Sequence, residues 1–168
     1  MSACPFPKIR RSVLIKDAEY YMTQAFNLGI DAWNADEVPI GAVIVYQDEI
    51  ISSAHNQTRT QIDPTAHAEM IAITMAAKKL GDWRLNECDL YVTKEPCPMC
   101  SGATVTARIG RVFFGFKDPK MGCLGGASSL HLLEKSNHKP EVYSDILREP
   151  CESILQAFFQ LQRKQVSS

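Results

Sequence analysis

One histidine and two cysteines have the spacing expected of ligands for a single metal ion. His67 lies in segment 64–69, and Cys97 and Cys100 are three residues apart in segment 95–100. Two thiolates and one imidazole form a ligand set that suits zinc. Residues three apart lie on the same side of a helical turn, so both sulfurs can face one ion. The sequence therefore predicts a zinc site built from two separate segments.

The number of ligands favours a catalytic site over a structural one. Structural zinc usually has four protein ligands, whereas catalytic zinc keeps a fourth position for water and lowers the pKa of that water. Three convincing ligands are present, and Glu69 follows His67 by two residues. Glu69 is placed to carry protons to and from the water. A fourth ligand, from Cys88, Cys123 or His131, would instead make the site structural.

Helices and strands must bring the two segments together. Helical periodicity begins at Asp17, and helices are predicted over 66–80, 98–107 and 149–164. Strands are predicted over 41–46, 50–55, 89–93, 111–115 and 141–144, and the first two form a hairpin around a polar turn at 47–49. Asp63-Pro64-Thr65 is read as the start of the second helix. A hairpin followed by β-α-β crossovers predicts an α/β fold, in which a mixed five-stranded sheet is covered by helices on both faces.

Composition and charge narrow the class of protein. The chain has 168 residues, of which 45% are hydrophobic and 22% are charged, and this indicates one globular domain rather than a disordered or fibrous chain. The net charge is −1, which excludes a strongly basic coat for nucleic acid but leaves a local basic patch open. No apolar run approaches the roughly 18 residues of a membrane span. We therefore expect no membrane association.

The cysteines and the first residues indicate an intracellular protein. The N-terminal segment has no charged start followed by an apolar stretch, which a secretory signal would require. We therefore expect a cytoplasmic location and reduced thiols among the six cysteines. Residues 1–16 are predicted to be an irregular arm with scattered basic residues, and residues 17–165 to form the domain.

At this point the sequence resembles a known family. His-Ala-Glu followed by Pro-Cys-x-x-Cys is the signature of zinc-dependent nucleobase deaminases. The similarity is closest to the bacterial tRNA-specific adenosine deaminases, and segments 37–45, 63–69, 90–100, 107–112 and 115–120 carry it. The zinc signature identifies the superfamily, whereas segments 37–41 and 108–120 favour the tRNA branch. The resemblance covers about residues 17 to 165, nearly the whole chain.

The resemblance implies a fold and a reaction. It implies a three-layer α/β/α, cytidine-deaminase-like fold, a homodimer with its site near the subunit interface, and one zinc ion per chain. His67, Cys97 and Cys100 would bind the zinc, and Glu69 would shuttle protons. The expected reaction is hydrolytic deamination of the wobble adenosine to inosine in the anticodon loop of a tRNA.

The resemblance also implies contacts with the substrate. Asn56 would contact the flipped nucleotide, Asp118 would approach the target ribose, and Pro96 and the backbone at Ala68 would line the base pocket. Phe158 and Phe159 of the last helix match aromatic residues that lie near the RNA in the family. Their positions on the apolar side of an amphipathic helix favour a place in the hydrophobic core instead. The last helix has less positive charge than is usual in the family.

Two other functions remain open. A free guanine, cytosine or nucleoside deaminase would use the same zinc site, and the nearly neutral charge favours it slightly. The segments typical of the tRNA branch oppose it. A zinc-stabilised binding module, from a different functional class, would have a fourth protein ligand and no dependence on Glu69.

Overall fold

Helices and strands alternate along most of the chain, and a computed structural model describes residues 2–166. The elements are α1 (Ala18–Asn34), β1 (Gly41–Tyr46), β2 (Glu49–His55), α2 (Ala68–Leu80), β3 (Cys88–Val92), α3 (Pro98–Thr106), β4 (Arg111–Phe114), a short 3₁₀ helix (Leu130–Leu132), β5 (Glu141–Tyr143) and α4 (Arg148–Val166). Most boundaries lie within one or two residues of those predicted from the sequence. None of the described helices has the length and apolar character needed to cross a membrane.

The five strands form one mixed sheet in the order β2-β1-β3-β4-β5. β1 pairs antiparallel with β2 and β3, whereas β3, β4 and β5 are parallel. This confirms the predicted α/β class and the mixed five-stranded sheet. Because β3 and β4 are parallel, the loops after both strands leave from the same edge of the sheet, where ligand sites of open α/β sheets usually lie.

The two faces of the sheet are covered by different helices. Alternating residues of β1 show the division, because Ala42 and Ile44 pack with the α2 side and Val43 and Val45 pack with the α1 side. Such alternation follows from the two-residue period of a strand. Leu90 and Val92 of β3 join the first core cluster, and Tyr91 joins the second. The result is the predicted three-layer arrangement, with α2 and α3 on one face and α1 and α4 on the other.

The predicted start of α2 is wrong by two residues. Asp63, Pro64 and Thr65 form a separate turn, in which the Asp63 Oδ1 accepts hydrogen bonds from the Thr65 N–H at 2.8 Å and the Thr65 hydroxyl at 2.7 Å. This carboxylate therefore caps a local turn and not the helix. The helix begins at Ala68, with His67 in the N-cap position. The histidine thus lies at the mouth of the helix rather than within it.

The N-terminal residues pack against α1 although residues 2–16 contain no helix or strand. The Trp33 indole N–H donates to the Ser2 carbonyl at 3.1 Å, and the Asn34 Oδ1 accepts the Cys4 N–H at 2.8 Å. Asn27 binds both backbone groups of Ile9, at 2.8 and 2.9 Å. These bonds attach the arm along one side of α1.

Candidate active site

Two helices begin side by side at the edge of the sheet where β3 ends. His67 is the N-cap of α2, and Cys97 is the N-cap of α3 with Pro98 in the first turn. Neither N-cap side chain bonds the backbone of its own helix. Both therefore remain available to a ligand. A helix N-terminus also favours the thiolate form of a cysteine because of its partial positive charge.

The three predicted ligands meet at this point. The His67 Nδ1 lies 3.7 Å from the Cys97 Sγ and 3.6 Å from the Cys100 Sγ. The three ligand atoms all lie within 4.8 Å of one another, so they can hold one metal ion. Within residues 2–166, the group contains neither Cys88, Cys123 nor His131. It therefore has the three-ligand composition that is typical of catalytic zinc.

The two thiols of the group differ in acidity. Hydrogen bonds from Cys100 and His67 outweigh burial and lower the pKa of Cys97 to about 4. The hydrogen bond to Cys97, together with burial, raises the pKa of Cys100. Cys97 is therefore the more acidic of the two thiols, and Cys100 holds its proton more firmly. The hydrogen bond with Cys97 also raises the pKa of His67 despite its burial. A bound cation would replace these protons because metal ligands bind in their deprotonated forms.

Glu69 is buried beside this group. Its side chain is 3% exposed, and its Oε2 has no hydrogen-bond partner among the described residues. Burial raises the pKa of this carboxyl, because the charged form is disfavoured away from water. A buried carboxyl oxygen without a hydrogen-bond partner is costly unless it has a role that needs it. Here it can hold and deliver a proton.

The structure places Asn56 directly against the start of α2. The Asn56 Oδ1 accepts the Ala68 backbone N–H at 2.8 Å, and the Asn56 N–H donates to the Ile40 carbonyl at 3.1 Å. Asn56 is 4% exposed. One of the first amides of α2 is thus satisfied by this side chain. Neither of these bonds uses the Asn56 Nδ2.

Pro96 and Asp118 lie on two segments held together by Glu95. This buried carboxylate accepts backbone N–H groups of Asp118, Leu124 and Gly126, each at 2.8 Å. The Pro96 carbonyl accepts further bonds from the Ser101 hydroxyl and the Cys123 N–H, each at 3.0 Å. Glu95 therefore fixes the loop after β4 against the segment that carries the cysteines.

Glycine is required where this loop passes Glu95. A Cβ on Gly122 would lie 2.1 Å from the Glu95 Oε2, and a Cβ on Gly126 would lie 2.3 Å from it. No side chain fits at those distances. The two glycines thus allow the loop to wrap around the carboxylate.

Glu37 is a second buried carboxylate whose role was not predicted from the sequence. It is fully buried, and it accepts hydrogen bonds from the backbone N–H groups of Arg59 and Thr60 and from the hydroxyls of Thr58 and Thr60. It anchors the loop between β2 and α2. In the sequence, the only feature that marks Glu37 and Glu95 is a proline one or two residues later, near a strand. This feature is a weak signal for a buried carboxylate.

The aromatic residues of α4 have different surroundings. Phe158 is 3% exposed and packs edge-on against Trp33 with ring centroids 5.2 Å apart, so it belongs to the core. Phe159 is 42% exposed and lines a cavity of about 370 Å³ together with Phe116. Of these two phenylalanines, Phe159 is therefore the one that a ligand can reach.

The known proteins to which this chain is similar include tRNA-specific adenosine deaminases and other deaminases. The family model described as MafB19-like deaminase matches residues 16–163. The tRNA-specific adenosine deaminase of Bacillus subtilis (strain 168) is 49% identical over 146 residues, which cover 87% of this chain and 91% of that protein.

Two solved structures that resemble this chain are also deaminases. A structure from studies of A-to-I editing by tRNA:A34 deaminases at the wobble position of transfer RNA superposes with a TM-score of 0.79 and 41% identity, covering 81% of this chain and 99% of that one. A guanine deaminase from Bacillus subtilis superposes with a TM-score of 0.56 and 44% identity, covering 58% of this chain and 63% of that one. The first match is both longer and closer in shape.

Proposed function

Because this chain belongs to the family of tRNA-specific adenosine deaminases, we propose that it converts the wobble adenosine in the anticodon loop of a tRNA to inosine. Water and adenosine give inosine and ammonia. The observation that carries the proposal is the group of His67, Cys97 and Cys100, which could hold a metal ion, beside the buried Glu69, whose Oε2 has no hydrogen-bond partner among the described residues. A deaminase needs this combination of a metal site and a proton carrier.

The proposed cofactor is one zinc ion per chain. One imidazole and two thiolates suit zinc, and three protein ligands leave a position for water. Zinc bound there would polarise a water molecule and make it a nucleophile near neutral pH. The chain's own contribution is to hold the ligands at two helix N-termini, where Cys97 is readily deprotonated.

Glu69 performs the proton transfers in the proposed reaction. It accepts a proton from the water that attacks the carbon bearing the exocyclic amine and passes this proton to the ring nitrogen. It then takes the proton of the new hydroxyl group and passes it to the amine, so that the carbon–nitrogen bond breaks, the carbonyl of inosine forms and ammonia leaves. Its burial supports this role because a raised pKa lets the carboxyl exist in both forms during turnover. Its Oε2 is not occupied by another group among the described residues.

Four residues are proposed to position the nucleotide. The Asn56 Nδ2 donates to the flipped nucleotide, since its Oδ1 is already bonded to the Ala68 N–H. Pro96 and the backbone at Ala68 line the base pocket beside the metal ligands. Asp118 approaches the ribose from the loop that Glu95 holds. A splayed nucleotide in an anticodon loop costs less to flip than one in a duplex, and this suits such a site.

The proposal also covers the domain bounds, the oligomeric state and the cellular location of the enzyme. We assign the deaminase domain to residues 17–165 and treat residues 1–16 as an arm that precedes it. The family resemblance supports a homodimer, and Met75 on α2 supplies exposed apolar surface, with 46% of its area accessible. A tRNA substrate supports a cytoplasmic location.

A guanine deaminase is the second candidate. The 44% identity to the Bacillus subtilis guanine deaminase over 58% of this chain favours it. Such an enzyme would use the same metal ligands and the same glutamate but would need no contact with RNA. The two candidates therefore differ in the substrate and not in the chemistry.

A comparison of substrates tests the proposal. We expect the purified protein to deaminate an anticodon stem-loop with adenosine at the wobble position, as measured by inosine formation and ammonia release. Free adenosine, guanine and cytosine are tested as alternative substrates in the same assay. A stem-loop with guanosine at the wobble position is the control. Efficient turnover of a free base, with a stem-loop neither bound nor deaminated, would replace the tRNA assignment with the small-molecule one.

A further inference from the structure

Lys94 is a cation placed at the rim of the candidate active site. It follows β3 and lies three residues before Cys97. Its side chain is only 22% exposed, and its Nζ lies 2.5 Å from the Asp118 Oδ2. The hydrogen bond with Cys97 raises the pKa of His67, and Lys94 is near enough for its positive charge to oppose that rise. Lys94 is therefore close to both the metal ligands and the loop after β4.

Asp118 holds the Lys94 ammonium in one place. The Asp118 N–H donates to the Glu95 Oε2 at 2.8 Å, and its Oδ1 accepts the Lys120 N–H at 2.9 Å. The backbone and one carboxylate oxygen are thus fixed, and the other oxygen faces Lys94. The position of the ammonium follows from this, because a lysine that is mostly buried needs its partner.

Lys94 keeps donors for a further acceptor. An ammonium group has three N–H donors, and the contact with Asp118 uses one of them. Lys117 and Lys120, in the same region, are exposed on the surface. Lys94 is held in place before any ligand arrives, which lowers the entropy cost of binding one.

The geometry of a flipped nucleotide indicates what the acceptor is. The base must enter the site to reach the metal group, whereas the ribose and its phosphates stay at the rim because they continue into the RNA chain. Phosphate oxygens are the commonest hydrogen-bond acceptors that proteins use to position nucleic acids. On this basis, which rests on the proposed function, we propose that Lys94 binds a backbone phosphate adjacent to the target adenosine.

The proposal adds a substrate-binding residue to the site. Asp118 then has two roles, since it faces the ribose and orients the lysine that contacts the neighbouring phosphate. Together the two side chains would fix the sugar–phosphate backbone on either side of the flipped base. The base would enter the pocket in one orientation.

A chemical cycle with modified RNA tests this contact. Stem-loops carrying one uncharged methylphosphonate, either 5′ or 3′ of the target adenosine, are compared with the unmodified stem-loop in wild type and Lys94→Met. We expect Lys94→Met to raise KM for the unmodified stem-loop about tenfold, the size of one charge-assisted hydrogen bond. One of the two methylphosphonate stem-loops should raise KM by a similar factor for the wild type and leave KM unchanged for Lys94→Met.

The controls separate a direct contact from a structural effect. Lys79→Met changes an exposed lysine in the last turn of α2, and its effect should be independent of both methylphosphonates. Lys94→Gln replaces Lys94→Met if thermal unfolding shows that the latter is destabilised. If each methylphosphonate raised KM equally in the wild type and in Lys94→Met, the inference would be overturned and the proposed function would stand. Failure of the wild type to bind or deaminate the stem-loop would overturn both.

Discussion

At the scale of single residues, Glu69 and the metal ligands have separable tasks. The ligand atoms of His67, Cys97 and Cys100 lie close enough together to hold one metal ion, whereas Glu69 is not part of that group. Glu69 is instead buried beside it with its Oε2 unpartnered within the described part of the chain. Loss of the carboxyl should therefore affect proton transfer without affecting the metal.

Replacement of Glu69 should abolish turnover but retain the metal. We expect Glu69→Ala to keep about one zinc per chain and to lose about 10²–10⁴-fold or more in turnover, the usual contribution of a general acid–base group. Glu69→Gln keeps the side-chain volume and should behave alike. Elemental analysis and an inosine assay measure the two quantities.

Variants of the ligands provide the matched comparison. Cys97→Ala and His67→Ala should lose zinc together with activity, and their stability should fall because bound metal contributes folding free energy. If Glu69→Ala also loses its zinc, Glu69 is a ligand and the assignment of roles is wrong.

Residue types in the sequence indicated which side chains come together at the candidate metal site better than they indicated which residues hold the surrounding loops in place. His67, Cys97 and Cys100 are informative in sequence because few other combinations bind a metal at such spacing. Glu37 and Glu95 are not, because glutamate is expected at the surface and their partners are backbone amides far along the chain. The pairing of Lys94 with Asp118 is likewise invisible in sequence, since the fold alone brings the two residues together.

At the scale of elements, two helix N-termini and one loop form the site. α2 and α3 each begin with a candidate metal ligand, and hydrogen bonds to Glu95 attach the loop after β4 to the segment before α3. The strands were predictable because β-branched runs alternate between two buried faces. The start of α2 was not, because the Asp63 side chain caps its own turn instead of the helix.

Weakening the Glu95 anchor should loosen the loop. In Glu95→Gln one carboxylate oxygen is replaced by an amide donor, which would face a backbone N–H in place of an acceptor. We expect a loss of about 1–3 kcal/mol in the free energy of unfolding, and a fall in Tm of about 2–4 °C per kcal/mol.

Thermal unfolding of two variants checks this expectation. Glu87→Gln makes the same chemical change at an exposed glutamate and should unfold like the wild type. The anchoring role would be refuted if Glu95→Gln and Glu87→Gln had the same Tm.

At the scale of the whole molecule, the two faces of the sheet have different tasks. The face covered by α2 and α3 carries the candidate metal ligands. The other face carries a row of aromatic rings across the parallel strands, where the centroids of Tyr91 and Phe113 lie 4.4 Å apart and those of Phe113 and Tyr143 lie 4.8 Å apart. Tyr91 and Phe113 of this row belong to the core cluster that α1 and α4 share, whereas Tyr143 is exposed.

The assembly of the molecule can be measured directly. We expect light scattering to give about twice the chain mass of 18.7 kDa at micromolar concentration, because the family resemblance implies a homodimer. A dilution series shows whether the mass depends on concentration. A mass of one chain throughout the series would contradict the homodimer.

The bond between Trp33 and Ser2 gives the protein an internal optical reporter. Trp33 is 2% exposed and Trp83 is 57% exposed, so the two indoles of the chain differ strongly in their contact with water. Because the Trp33 indole N–H donates to the Ser2 carbonyl, release of the arm changes the polarity around a buried chromophore. With Trp83 replaced by phenylalanine, the emission spectrum would follow the docking of the arm alone.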